Sequence, residues 1–128
     1  MIVLDNSALV EATTGQRPPP ELLDDLARLE LHVPHLLDYE FRSALRGLLL
    51  GGRISPVRGE GALLVKESLS FLRYPESVTG PRAWDLRDHL NPYDASYVAL
   101  AEQLQCPLAT TDATLERQVR TVELRLYR

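Results

Sequence analysis

The chain has 128 residues, of which 45% are hydrophobic and 25% are charged, and its formal net charge is −4. These values are typical of one globular domain, predicted over residues 1–128, and the acidic balance argues against indiscriminate nucleic-acid binding through a basic surface. No apolar run approaches the roughly 18 residues that a membrane span needs, and the single cysteine, Cys106, excludes an internal disulfide and favours a cytoplasmic, reducing location.

The first half of the chain alternates predicted strands with predicted helices. Met1 to Leu4 form a short apolar run that ends in Asp5 and leads into a helical pattern, as a buried strand followed by a helix would. Apolar spacing and the proline and glycine breaks then predict the following elements, in chain order: a helix at 21–29, a strand at 31–33, a helix at 36–50, a helix from 55 to about 72 and a weak strand at 73–76.

The second half continues the alternation. Its predicted elements are a short helix at 81–90, a helix opened by Asn91-Pro92 that continues through Leu104, a strand at 107–110, a brief helix from Asp112 and a last strand at 122–126. Strands that alternate with helices indicate an α/β fold with a parallel sheet covered on both faces.

Four acidic residues occupy positions where such a fold would gather them: Asp5, Glu40, Asp94 and Asp112. Asp5 and Asp112 follow predicted strands, whereas Glu40 and Asp94 lie near helix N-termini. Each has an ordinary structural explanation, because acids are favoured as helix caps and in the first turn of a helix. Together they indicate a site, since the carboxyl end of a parallel strand and the start of the next helix share one edge of the domain.

The chemistry of these residues predicts a divalent metal site. Crowded carboxylates raise each other's pKa unless a cation lies between them, and an oxygen-only ligand set suits Mg²⁺ or Mn²⁺. The absence of a histidine and cysteine cluster argues against zinc. Ser7 and Thr110 lie beside the predicted site, where they either support it or cap a helix or turn.

Several segments together resemble the PIN-domain ribonucleases, in particular the VapC toxins of bacterial toxin–antitoxin pairs. The resemblance covers essentially the full length of the chain. It rests on Ile2-Val3-Leu4-Asp5-Asn6-Ser7-Ala8-Leu9, on Glu40 ahead of Ser43-Ala44-Leu45, on the stretch from Tyr93 to Glu102, and on Thr110-Thr111-Asp112-Ala113-Thr114-Leu115. One departure is Asn6, which stands where the family often has Thr or Ser; Ser7 keeps the polar position that follows.

The resemblance implies a PIN-like three-layer α/β/α sandwich and divalent-metal-dependent endonucleolytic cleavage of RNA. On this basis Asp5 and Asp94 are expected to be the primary ligands of Mg²⁺, for which Mn²⁺ would substitute. Glu40 and Asp112 would complete the catalytic pocket, and cleavage would leave a 5′-phosphate and a 3′-hydroxyl. The substrate-binding residues are unknown from the sequence; the arginines considered for the rim are Arg17, Arg42, Arg46 and Arg82.

The resemblance also predicts partners, namely an RNA substrate, a cognate VapB-like antitoxin and a second copy of the chain in a homodimer. The leucine-rich helices predicted at 36–50 and 55–72 carry apolar residues that serve either the core or such an interface.

Two other classes of function remain open from the sequence. A phosphoacceptor signalling domain of the receiver type has acids at strand ends, but it needs a lysine after its last strand, and the only lysine, Lys66, falls inside a predicted helix. A related phosphatase with an aspartyl nucleophile would need a second aspartate where Ser7 stands. The last alternative is a catalytically silent PIN-like interaction module, which would bind no Mn²⁺.

Overall fold

The structure is a computed structural model that describes all 128 residues, and its centre is a five-stranded, fully parallel sheet. The strands are β1 (Ile2–Leu4), β2 (Leu31–Pro34), β3 (Phe71–Tyr74), β4 (Leu108–Thr110) and β5 (Leu124–Leu126). Their spatial order is β3-β2-β1-β4-β5, so β1 lies in the middle. The chain proceeds outward from β1 to β3 on one side and then returns to β4 on the other side, which creates a crevice at the carboxyl ends of β1 and β4.

Seven helices cover the sheet. They are α1 (Asn6–Thr14), α2 (Pro20–Arg28), α3 (Leu36–Leu50), α4 (Pro56–Ser68), α5 (Glu76–Asp85), α6 (Pro92–Leu104) and α7 (Leu115–Gln118). The helix α1 contacts α2, α3 and α4, whereas α5 packs on α6, which in turn packs on β1, β2 and β4. Because parallel crossovers are right-handed, these two groups occupy opposite faces. The predicted α/β/α sandwich with a central parallel sheet is therefore confirmed.

The core extends over both faces of the sheet, and α6 covers one of them. Every residue of α6 from Ala95 to Ala101 is buried, and β1 and the core side chains of β4 are fully enclosed. Small side chains such as Ala95 and Ala99 allow this helix to approach the strands closely, which places its N-terminal turn at the carboxyl edge of the sheet. No helix combines the length and the apolar character that crossing a membrane requires.

Four predicted elements have other bounds in the structure. The helix expected to continue to about residue 72 ends at Ser68. The strand expected at 73–76 is β3, an edge strand whose first and last residues are half-buried and whose two central residues are exposed. The helix expected at 81–90 is α5, which carries Pro81 in its interior rather than at its start. The helix expected from Asp112 begins three residues later, at Leu115, after a turn.

Candidate active site

Asp5 stands at the carboxyl end of β1 and is held by two hydroxyl groups. The Ser7 Oγ and the Thr110 Oγ1 both donate to Oδ2 of Asp5, at 2.8 and 2.7 Å. Ser7 comes from the first turn of α1 and Thr110 from the end of β4, so the crevice between the two strands closes around this carboxylate. With only 8% of its surface exposed, Asp5 is a buried acid whose orientation is fixed by its neighbours.

The same hydroxyls continue the network to the segment that follows β4. The backbone N–H of Thr111 donates to Ser7 Oγ at 3.1 Å, and the N–H of Asp112 donates to Thr110 Oγ1 at 3.0 Å. The Asp112 carboxylate accepts from the N–H and the hydroxyl of Thr114, at 2.9 and 2.6 Å. Asp112 therefore shapes the turn before α7 and is also held beside Asp5.

Glu40 reaches the site from α3 and is held there by a tyrosine of α6. The Tyr97 hydroxyl donates to Oε1 of Glu40 at 2.7 Å, and the Tyr97 side chain is almost completely buried. Burial and the adjacent Glu40 charge raise the pKa of Tyr97, so this phenol stays protonated and acts as a donor. The hydrogen bond joins helices on opposite faces of the sheet at the site.

Asp94 is placed by the cap of α6. Asn91 is the N-cap residue, and its Oδ1 accepts the Asp94 N–H at 2.8 Å. Pro92 occupies the first turn, where its missing N–H would have had no helical partner. Asp94 is half-buried in that turn, at the carboxyl edge of the sheet.

The pKa values of Asp5, Glu40 and Asp94 are each raised in part by the charge of another of the four acids. Burial raises the pKa of Asp5, against the hydrogen bonds from Thr110 and Ser7, and the charge of Asp112 raises it further. Burial is also the main cause of the raised pKa of Glu40 and of Asp94, and the charge of Asp5 contributes to both. The charge of Asp94 further raises the pKa of Glu40, and the charge of Asp112 further raises that of Asp94. The four predicted acids therefore lie near enough to one another for their charges to interact.

The cleft suits a hydrated divalent cation better than a closed metal cage. No three His, Cys, Asp or Glu side chains are close enough together to form a ready-made ligand set. Mg²⁺ typically accepts one or two carboxylates and keeps several waters, so spaced acids are compatible with it. The one buried side-chain polar atom without a hydrogen-bond partner is Oδ1 of Asn6, the residue directly after Asp5.

Two basic residues that the sequence analysis considered, Arg82 and Lys66, are paired with carboxylates away from the four acids. Arg82 donates two hydrogen bonds to Glu102, at 2.7 and 3.1 Å, and Glu102 lies about 12 Å along α6 from Asp94. Lys66 is buried and paired with Asp38 at 2.5 Å and with Glu67 at 3.6 Å, so it is not positioned as a phosphoacceptor lysine beside Asp5.

The sequence predicted no role for Tyr97, and it indicated Asn6 only as a departure from the family pattern. A signal for Tyr97 was present: it is the one large aromatic within the Ala95 to Ala101 stretch, whose other members are small or aliphatic, and a buried tyrosine hydroxyl usually has a partner. Its partner could not be read from the sequence, because Glu40 lies 57 residues earlier.

Comparison with known proteins gives consistent results. The family model described as "PIN domain" matches residues 2–120. Ribonuclease VapC9 of Mycobacterium tuberculosis is 43% identical over 115 residues, which cover 90% of this chain and 88% of that protein. A crystal structure from Pyrobaculum aerophilum, PAE2754, superposes with a TM-score of 0.70 at 25% identity, covering 94% of this chain and 81% of that one. VapBC2 from Rickettsia felis, bound to a DNA fragment from their promoter, has a TM-score of 0.70 at 12% identity, with all of both chains covered.

Proposed function

The chain belongs to the PIN-domain family and, within it, to the VapC ribonucleases, and on this basis we propose that it is a divalent-metal-dependent endoribonuclease, the toxin of a toxin–antitoxin pair. The observation that carries the proposal is the buried Asp5 carboxylate, clamped by Ser7 and Thr110 in the crevice of the sheet, with three further acids acting on the same cleft. An acidic cleft repels RNA unless a cation is bound, which supports the metal requirement.

The site residues have different proposed roles in binding the metal. Asp5 and Asp94 are proposed to hold Mg²⁺, or Mn²⁺ in its place, and Ser7 and Thr110 keep Asp5 in a fixed orientation. When bound, the ion supplies positive charge at the phosphate and lowers the pKa of water.

Glu40, whose pKa is raised and whose Oε1 is held by Tyr97, orients the attacking water and accepts its proton. Asp112 completes the pocket. Water attacks phosphorus and the bond between phosphorus and the 3′-oxygen breaks. The 3′-oxygen takes up a proton and becomes the 3′-hydroxyl, and the phosphate stays on the 5′-oxygen.

The alternatives have less support. A receiver-like domain lacks its lysine, because Lys66 is engaged by Asp38. A catalytically silent module would have no use for a buried carboxylate whose pKa is raised by its surroundings, since such a group destabilises the fold when it is ionised.

RNA cleavage tests the proposal directly. We expect the purified protein to cleave single-stranded RNA with Mg²⁺ or Mn²⁺, to lose this activity in EDTA and to regain it when metal is restored. Asp5→Asn should reduce kcat at least 100-fold, because it removes a charge from the metal site while preserving the side-chain shape. Asp24→Asn is the matched control, since Asp24 is exposed and paired only with Arg28. Cleavage that survives both EDTA and Asp5→Asn would disprove the metal-nuclease proposal.

We also propose an antitoxin partner and a homodimer in the cytoplasm. The helices α3 and α4 keep large apolar side chains on the surface, namely Leu49, Leu50, Val57, Leu64 and Val65. Between these helices lies a groove of about 260 Å³ that is lined by both leucines and arginines, which suits an amphipathic, acidic antitoxin helix. Co-purification with the product of the adjacent reading frame, and the loss of that co-purification in Leu50→Asp, would support this assignment, because Leu50 is exposed and lines the groove. Sedimentation would establish the homodimer.

A further inference from the structure

We propose that a cleft beside the acids is a binding site for an unpaired base of the RNA substrate. The cleft has a volume of about 840 Å³ and lies among the ends of β2 and β3, α5 and the start of α6. This inference rests on the proposed function and extends it, because it assigns the part of the protein that would recognise the nucleotide next to the cleaved bond.

The cleft adjoins the acidic site through two elements. Tyr93 lines the cleft and immediately precedes Asp94 in the first turn of α6. Leu36 also lines it and lies one helical turn before Glu40, on the same side of α3. A nucleotide whose phosphate lies at the acids therefore has this cleft as the adjacent space for its base.

The walls provide flat aromatic surface rather than charge. Trp84 and Tyr93 are 68% and 59% exposed, although large aromatic side chains are normally buried in a folded domain. Tyr74 and His35 add two more rings to the lining. Stacking of unpaired bases on such rings is a general mode of RNA recognition.

The charges around the cleft indicate which part of a nucleotide enters it. No lysine or arginine lines it, and its one acid is Glu76, so a phosphate would find no partner inside. The Arg87 guanidinium lies over the Trp84 ring, 4.7 Å from its centre, and does not itself line the cleft, so it provides a positive charge next to the aromatic wall. The base would occupy the cleft while the backbone stays outside, near Arg87 and the acids.

Trp84 is the only tryptophan, so its fluorescence reports on the cleft directly. The probe is a mixed-sequence single-stranded oligoribonucleotide, added with Ca²⁺ in place of Mg²⁺ and checked for intactness afterwards. We expect saturable quenching by this RNA and little quenching by an abasic oligomer of the same length. Equal quenching by both, or binding of labelled RNA without quenching, would overturn the inference. Quenching that follows protein concentration alone would also overturn it, because a second copy of the chain would then cover the cleft.

Steady-state kinetics separates this site from the chemistry. Trp84→Ala and Tyr93→Ala should each raise KM for RNA about tenfold, equivalent to about 1.4 kcal/mol of lost stacking, with a smaller change in kcat. Trp84→Phe should restore most of the affinity. Leu23→Ala serves as control, because Leu23 is exposed on α2 and does not line the cleft. If the wild type cleaves RNA but the two alanine variants keep its KM, only the base site is disproved; if the wild type cleaves no RNA, both proposals fall.

Discussion

The hydroxyl of Tyr97 affects both the position and the ionisation of Glu40. Its ring belongs to the core between α6 and the sheet, while its oxygen holds Glu40, which comes from a helix on the other face. Glu40 is half-buried and close to other negative charges, so without a donor its carboxylate would be less stable when ionised. Tyr97 thus keeps Glu40 both in position and charged.

Removing this hydroxyl should change the pH dependence of catalysis. The hydrogen bond from Tyr97 lowers the pKa of Glu40, so in Tyr97→Phe that pKa should rise and the acidic limb of the pH–rate profile should move to higher pH. We expect kcat near neutral pH to fall about tenfold, in line with the loss of a hydrogen bond to a charged group. The measurement is RNA cleavage across the range from pH 5 to 9, at fixed Mn²⁺.

Tyr127→Phe is the matched control for that experiment. Tyr127 is also buried, and its hydroxyl donates to a carboxylate, Oδ2 of Asp25, at 2.6 Å, but this pair lies outside the cleft. The Tyr127→Phe variant should lose stability without a change in the pH profile of RNA cleavage. An unchanged profile in Tyr97→Phe would show that Tyr97 is only a core residue.

At the scale of elements, Asp38 joins α3, α4 and β3. It accepts two hydrogen bonds from Arg73 of β3, at 2.7 and 3.0 Å, and pairs with Lys66 of α4 at 2.5 Å. The two cations lower the pKa of Asp38 to about 2. Only 4% of the Lys66 side chain is exposed, so Asp38 rather than water is its main polar partner.

Asp38→Asn should therefore be strongly destabilising. A buried cation left without its main partner costs about 3 kcal/mol of unfolding free energy at pH 7, whereas Asp24→Asn, at an exposed pair, should cost less than about 1 kcal/mol. The lowered pKa means that the contribution of Asp38 is complete above its unfolded pKa of about 4 and is lost as the pH falls towards 2. Urea unfolding at pH 7 and at pH 3 should show a smaller difference at pH 3; an equal difference would contradict the role assigned to this charge.

Elements that pack a regular apolar stripe on the core were easier to predict than those at the edge of the sheet. The helix predicted at 36–50 has those bounds in the structure, because its apolar stripe packs on the core over most of its length. The end of α4 was misplaced because Leu69 and Leu72 continue its leucine pattern, although Leu72 belongs to the edge strand β3 and is partly exposed. Periodicity cannot distinguish a continuing helix from an edge strand when tertiary packing decides.

For the whole molecule, topology rather than local sequence assembles the cleft. Residues 5, 40, 94 and 112 lie in four separate segments, and only a sheet with β1 between β2 and β4 brings these segments together. Alternating strands and helices predicted the shared edge. They could not predict the contacts among side chains, such as Ser7 and Thr110 on one oxygen of Asp5, because these depend on the register of β1 and β4.

The charge distribution of the whole molecule predicts a weak salt dependence of RNA binding. The net charge is −4, and several arginines are held by carboxylates rather than free for phosphate, namely Arg28, Arg73, Arg82, Arg125 and Arg128. Each phosphate neutralised on a single strand contributes about −0.7 to the slope of log K against log salt concentration. With two or three such contacts we expect a slope of about −2, measured by anisotropy of labelled RNA at constant Ca²⁺. A slope of about −5 or steeper would show that affinity comes from a basic surface, and the acidic cleft with its neighbouring aromatic site would then contribute little to substrate binding.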